Sequence, residues 1–132
     1  MSVLLDTHIW IWWLTGQTLT DRERAALGTA AEAGQVALSA ISLWEAQMLH
    51  AHGRLRLQVP FDAWLLQATA PSVVRLLPLD VSVVLALNKL PASFHGDPAD
   101  RIIVATARAH DLPLATRDRP IRRARLARSW TG

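Results

Sequence analysis

The sequence predicts an α/β fold, specifically a three-layer α/β/α domain around a mainly parallel sheet of four or five strands. Short apolar segments of strand length alternate with longer segments of helical periodicity. The first of these apolar segments ends at Asp6, and Asp118 closely follows the last one. Buried strands end in this way at the polar edge of a sheet. The 132 residues contain no repeat or linker, which predicts one domain spanning residues 1–132.

The first half of the chain predicts two strands and four helices. Thr20 and Glu23 form a capping-box pattern at the start of the second helix, and Gly34 ends it. Ser42 and Glu45 form the same pattern at the start of the third. The predicted strands are 3–6 and 36–40, and the predicted helices are 7–14, 21–34, 42–53 and 61–70.

The second half predicts two further strands and two clear helices. Asp80 caps a short helix, and Asp97 with Pro98 opens a longer one. In that longer helix Asp100 shares its face with apolar residues, so its carboxylate points toward the protein interior. The predicted strands are 73–79 and 112–116, the helices are 81–87 and 98–109, and the tail adds a short helix near 121 and a fifth edge strand near 127–130.

Composition excludes several classes of protein. Apolar residues make up 51% of the chain and charged residues 19%, so an intrinsically disordered chain is excluded. The absence of cysteine excludes disulfides, thiolate metal sites and a cysteine nucleophile, and is consistent with a reducing cytoplasm. No apolar run approaches the ~20 residues of a membrane span, and no basic segment precedes the first strand as in a signal peptide. We therefore expect a cytoplasmic protein.

Positive charge is concentrated near the C-terminus. Residues 117–128 contain six arginines and one aspartate, a local charge of +5 in a chain of net charge +3. A basic patch on a mildly acidic body is typical of proteins that bind nucleic acid. The alternative is an arginine-rich surface that contacts only solvent.

Four carboxylates are predicted to meet at one edge of the sheet. Asp6 ends the first strand, Glu45 lies in the first turn of the helix after the second strand, and Asp118 follows the last strand. The carboxyl ends of parallel strands share the edge where open α/β folds bind ligands. Asp100, with Asp97 beside it, joins them if the loop 88–96 returns the chain to that edge.

Clustered carboxylates repel one another unless a cation neutralises them. An all-oxygen ligand set favours Mg²⁺ or Mn²⁺, which can assist phosphodiester hydrolysis. Each acid has a simpler interpretation as a helix cap or turn residue, but four caps converging on one edge by chance is improbable. The histidines show no metal-ligand spacing, although His95 could contact a substrate phosphate. They are His8, His50, His52, His95 and His110.

These segments together resemble the PIN-domain ribonucleases, specifically the VapC-like toxins of bacterial toxin–antitoxin pairs. The resemblance spans nearly the whole chain in the family's order and spacing. A departure occurs at 46–50, where relatives often carry a lysine. The matching segments are Leu4-Leu5-Asp6-Thr7-His8, Ser39-Ala40-Ile41-Ser42-Leu43-Trp44-Glu45, Gly53-Arg54-Leu55, His95-Gly96-Asp97-Pro98-Ala99-Asp100-Arg101-Ile102-Ile103 and Leu114-Ala115-Thr116-Arg117-Asp118.

The resemblance implies a PIN-like domain with the activity of a Mg²⁺- or Mn²⁺-dependent endoribonuclease. It assigns the catalytic and metal-binding acids to Asp6, Glu45, Asp100 and Asp118, with Asp97 as an accessory acid. It also implies an RNA substrate, a homodimer and a small antitoxin partner that binds DNA. The alternative is a non-catalytic PIN-like binding or signalling module. A receiver-type signalling domain is disfavoured because it needs a lysine after its last strand, and the single lysine is Lys89.

The first helix has no polar face. Its residues from Ile9 to Leu14 are all apolar, while a helix beside a sheet buries one stripe. Some of Trp10, Trp12 and Trp13 would then face water unless another chain covers them, so we predict that this helix contributes to a subunit or antitoxin interface and that the isolated protein is at least dimeric. The alternative is that the segment 15–34 covers this helix within one chain.

Overall fold

A four-stranded parallel sheet forms the centre of the protein. The computed structural model describes residues 1–94 and 97–132, so the interpretation of His95 lies outside the described residues. The strand order is β3-β2-β1-β4, and every pairing is parallel. This confirms the predicted fold class. The strands are β1 (Val3–Leu5), β2 (Val36–Ser39), β3 (Arg75–Leu77) and β4 (Leu114–Ala115).

Most of the predicted helix starts are found, and their caps explain where they begin. Thr20 and Glu23 form the predicted capping box, Asp80 accepts a hydrogen bond from the Val83 amide, and Asp97 accepts from the Ala99 amide. The helices are α1 (Thr7–Thr15), α2 (Asp21–Glu32), α3 (Ile41–Ala51), α4 (Phe61–Ala68), α5 (Val81–Asn88), α6 (Pro98–Ala109) and α7 (Arg119–Ala124).

The helices cover both faces of the sheet, which gives the chain two apolar cores. Val3 and Leu5 of β1 pack on one face with residues of α1, α2, α3 and α4. Leu4, between them, packs on the other face with residues of α5, α6 and α7. Successive strand residues point to opposite faces, so a strand buried on both sides must be apolar throughout. All three residues of β1 are accordingly buried.

Two predicted elements differ from the structure. The fifth strand near 127–130 is reduced to a single bridge between Leu114 and Ser129, because β4 has only two residues for it to pair with. The capping box predicted at Ser42 is wrong, because α3 begins at Ile41 and Ala40 is its N-cap. Ser42 is instead buried inside the first turn of the helix.

Helix α1 is covered within the chain more than the sequence predicted. Trp10 is fully buried, and its indole N–H donates to the Ala68 carbonyl at 3.0 Å. Leu19 and Leu27 belong to the same core cluster, and Trp12 and Trp13 pack against it while remaining half-exposed. Of the three tryptophans, Trp10 belongs to the core, and only Trp12 and Trp13 are partly accessible to solvent.

Helix α5 exposes an apolar face. Val81, Val84 and Leu85 expose 74%, 48% and 57% of their surface, whereas Val83 on the opposite side is fully buried. Within residues 1–94 and 97–132 the longest helices have 12 residues, and none has the length and apolar character needed to cross a lipid bilayer.

Candidate active site

Asp6 is a buried carboxylate held at the carboxyl end of the central strand. It is 7% exposed, and it is the N-cap of α1. Its Oδ1 accepts from the Thr7 amide at 2.8 Å, and its Oδ2 accepts from the Thr116 hydroxyl at 2.7 Å. Because Thr116 follows β4, this last bond ties the ends of two neighbouring strands together and fixes the orientation of the carboxylate.

The Glu45 side chain is held by Thr7 and does not cap helix α3. The Thr7 hydroxyl donates to Glu45 Oε1 and lies 2.8 Å from the Ser42 hydroxyl. The contact joins α1 to the first turns of α3. Ser42, which the sequence suggested as a cap for that helix, instead supports Thr7, so the capping interpretation of Glu45 is excluded.

The remaining acids come from two other helix starts. Asp97 caps α6, and Asp100 lies in the first turn of that helix, half-buried. Asp118 caps α7 through the Ile121 amide at 2.9 Å. Its own amide donates to the Thr116 hydroxyl at 3.0 Å, so Thr116 contacts both Asp6 and Asp118.

All five predicted acids line one cavity of about 390 Å³ at the carboxyl edge of the sheet. The loop after α5 therefore returns the chain to this edge, as the sequence prediction required. We call this cavity the acidic pocket. Its lining residues are Asp6, Glu45, Asp97, Asp100 and Asp118, together with His8, Trp12 and Arg117.

Burial disfavours the ionised forms of Asp6 and Glu45. Desolvation is the main cause that raises the pKa of Asp6, and the negative charge of Asp118 raises it further. The hydrogen bonds from Thr116 and Thr7 act in the opposite direction and lower this pKa. Desolvation also raises the pKa of Glu45, assisted by Asp6 and Asp97 and opposed by the bond from Thr7.

These shifts fix the sign of a pH effect on stability. A carboxyl group whose pKa is higher in the folded than in the unfolded chain binds protons more tightly in the folded state. Folding is therefore favoured at low pH by Asp6 and Glu45, and this contribution is lost as the pH rises through their folded pKa values. At neutral pH, without a cation, both carboxylates destabilise the fold.

The donor set of the acidic pocket fits a hard divalent cation. Hydrogen bonds in the described part of the chain engage Oε1 of Glu45, Oδ1 of Asp97 and Oδ1 of Asp118, which leaves each second oxygen for another ligand. Still, among residues 1–94 and 97–132, no three acidic or histidine side chains converge closely enough to enclose a metal ion.

Several residues of the pocket were not predicted from the sequence. Thr7 and Thr116 hold Glu45 and Asp6 in place, and their only sequence signal is that each lies within two residues of an acid near a strand end. His8 lacks metal-ligand spacing but lies at the rim, its ring 5.6 Å from that of Trp12. Arg117 lies 6.0 Å from the Trp12 ring and pairs with Glu23 at 2.5 Å.

Two further cavities share lining residues with the acidic pocket. The Arg122 pocket, of about 410 Å³, shares Arg117 with it and is also lined by Arg22, Arg122 and Trp130. The Arg54 pocket, of about 240 Å³, shares His8 and Trp12 with it. Both of these neighbouring cavities carry arginines.

Comparison with known proteins gives matches over almost the whole chain. Residues 3–126 match the PIN domain family. Ribonuclease VapC22 of Mycobacterium tuberculosis is 39% identical over 131 residues, which cover 98% of this chain and 97% of that protein.

Two solved structures have a similar fold. The crystal structure of VapBC2 from Rickettsia felis, bound to a DNA fragment from their promoter, matches with a TM-score of 0.77 and 16% identity, covering 98% of both chains. The crystal structure of FitAcB from Neisseria gonorrhoeae matches with a TM-score of 0.70 and 25% identity, covering 98% of this chain and 96% of that one.

Proposed function

The chain belongs to the PIN domain family, and on that premise we propose that it is a metal-dependent endoribonuclease, the toxin of a toxin–antitoxin pair. The observation that carries the proposal is the acidic pocket, where five carboxylates from four separate parts of the chain line one cavity. The 39% identity to a protein named ribonuclease VapC22 supports the choice of RNA as substrate.

The acids of the pocket would hold the cation, Mg²⁺ or Mn²⁺. Asp6, Glu45, Asp100 and Asp118 are the principal ligands in this proposal, and Asp97 is an accessory ligand. The bound cation would supply charge neutralisation at the phosphate and a more acidic water. Raised pKa values of Asp6 and Glu45 support the proposal, because an adjacent cation offsets the cost of ionising buried carboxylates.

The protein itself would orient the acids and bind the substrate. Thr116 fixes Asp6, and Thr7 fixes Glu45, so the carboxylate oxygens are arranged before RNA arrives. Arg122 is exposed and lines the cavity beside the acidic pocket, so it can bind a phosphate next to the one being cleaved. Arg128 is less suited to this role because it pairs with Asp111 at 3.2 Å.

We also propose a protein partner and a second subunit. The fold match to VapBC2, a complex with promoter DNA, supports a small antitoxin that binds DNA. The exposed face of α5, carrying Val81 and Leu85, is a better homodimer surface than α1, whose tryptophans are at least half covered.

Removing single acids tests the catalytic proposal. Asp6→Asn and Asp100→Asn should each lower Mn²⁺-dependent RNA cleavage by at least about a hundredfold. Loss of a residue that only orients a metal ligand lowers activity by up to about a hundredfold, and loss of the ligand itself should lower it at least as much. Asp97→Asn should lose less activity, since asparagine still caps α6. Cleavage is measured with purified full-length chain, with and without EDTA.

The matched control for these variants is Asp62→Asn, which removes an exposed acid from the first turn of α4. It should cleave like the unmodified chain. Full activity in Asp6→Asn, or activity that survives EDTA, would contradict the metal-nuclease proposal. Equal inactivity of the Asp97 and Asp100 variants would make Asp97 a principal ligand.

Arginines of the C-terminal segment should give RNA binding its salt dependence. Replacing Arg122, Arg123 and Arg125 with glutamine should weaken binding and flatten the plot of log affinity against log salt, by about 0.7 for each phosphate that is no longer neutralised. Fluorescence anisotropy with a labelled RNA in EDTA measures the slope. Arg128→Gln is the control and should change little, and an unchanged slope in the triple variant would mean that these arginines contact only solvent.

Substitutions on the exposed face of α5 test the proposed homodimer directly. Light scattering of the purified chain should give the mass of a dimer, and Val81→Lys with Leu85→Lys should give a folded monomer, because two charges would be buried without partners. Leu66→Lys, on α4 and 75% exposed, is the control and should leave the mass unchanged. A monomeric unmodified chain would rule out this interface.

A further inference from the structure

The Arg54 pocket is a second cavity whose role the acidic pocket does not explain. It lies beside the acidic pocket and shares the side chains of His8 and Trp12 with it. The described residues that line it include Arg54 and Arg56 and no acid. An anionic or aromatic ligand therefore matches its chemistry better than a cation does.

The chain presents the two arginines of this pocket on the same side. After α3 the backbone turns at Gly53, whose φ of +68° lies in the region that glycine adopts most easily, and the Arg54 amide donates to the Leu49 carbonyl at 2.8 Å. Leu55 and Leu57 then pack against the core, whereas Arg54 and Arg56 are exposed. The alternation anchors the segment through its leucines and leaves both guanidinium groups available.

Trp12 forms the wall between the two cavities. It is half-exposed, it packs on the core through part of its surface, and it lines both pockets. The His8 ring lies 5.6 Å away at an angle of 48°, so the two rings do not close over each other as a tight parallel stack. The Arg117 guanidinium also lies 6.0 Å from the centroid of the Trp12 ring. A partly buried aromatic ring that lines two cavities and has a cationic neighbour is suited to stacking against a nucleobase.

Electrostatics indicate why a nuclease needs this second cavity. The phosphates on either side of a cleaved bond are repelled by the carboxylates of the acidic pocket, so binding is favoured by cations in the cavities beside it. Arg22 and Arg122 supply positive charge in one such cavity. Arg54 and Arg56 supply it in the other.

We propose that the Arg54 pocket binds the neighbouring nucleotide of a single-stranded RNA whose scissile phosphate lies at the acidic pocket. The base stacks on Trp12, and the phosphates contact Arg54 and Arg56. The inference rests on the proposed nuclease function and adds a substrate subsite, which a base can enter only when it is not stacked in a duplex.

A binding assay can separate the phosphate contacts of the arginines from base stacking on Trp12. It measures the affinity of a labelled oligouridine for the full chain carrying Asp6→Asn, in EDTA. Arg54→Gln with Arg56→Gln should flatten the salt dependence by about 0.7 for each phosphate left without its arginine. Trp12→Leu should weaken binding about tenfold at every salt concentration without changing the slope, and Trp12→Phe should restore most of the affinity. Arg75→Gln, an exposed arginine on the edge strand β3, is the matched control.

A parallel cleavage assay in Mn²⁺, on chains that keep Asp6, distinguishes failure of this inference from failure of the proposed function. The double arginine variant should raise KM and leave kcat unchanged, as expected for a contact made equally in the ground and transition states. If the unmodified chain cleaves RNA but the double variant behaves like Arg75→Gln, the subsite proposal is overturned, and a protein partner becomes the alternative occupant. If the unmodified chain neither cleaves nor binds RNA, the proposed function falls and this inference with it.

Discussion

The burial of carboxylates at one edge of the sheet is the constraint on which the rest of the structure depends. Asp6 is buried at the end of the central strand, and its neighbours Glu45, Asp97 and Asp118 bring further negative charge to the same cavity. Desolvation by burial raises the pKa values of Asp6 and Glu45, and the charges of neighbouring acids raise them further. The fold tolerates this arrangement because each acid is fixed by a hydrogen bond or by a helix start, and because the two cores on either side of the sheet stabilise the framework.

The two threonines connect the apolar framework to this chemistry. Thr7 and Thr116 are each a strand-end residue whose hydroxyl bonds to a carboxylate from another element. Thr116 also accepts the Asp118 amide, so the orientation of one acid depends on the position of the next. Shifting β1 or β4 by one residue would therefore disturb the apolar packing and the acidic pocket together. Stability of the sheet and geometry of the site are coupled through these contacts.

Much of the fold followed from the sequence because local signals and tertiary packing agree. The alternation of apolar strands with helical segments predicted the three layers and the edge where the acids meet. Helix caps such as Asp97 predicted where helices begin. Predictions failed where a long-range contact replaced a local one: Ser42 bonds to Thr7 across 35 positions of the chain and does not cap its own helix. Trp10 is likewise contacted by Trp64 and Ala68 of α4, which periodicity within α1 cannot reveal. The Arg54 pocket combines residues of α1 with residues beyond α3, and no single motif predicts that combination.

The most direct test of the proposed cation site is the free energy of unfolding at neutral pH as Mn²⁺ is added, compared between the unmodified chain and Asp6→Asn. Without metal, the variant should be the more stable protein, because it lacks a destabilising buried charge. Added Mn²⁺ should then stabilise the unmodified chain by about 2.7 kcal/mol at a hundredfold excess over the dissociation constant, and stabilise the variant much less. An unmodified chain that is indifferent to Mn²⁺, or a variant that is less stable in EDTA, would contradict the claim that the crowded carboxylates form a cation site.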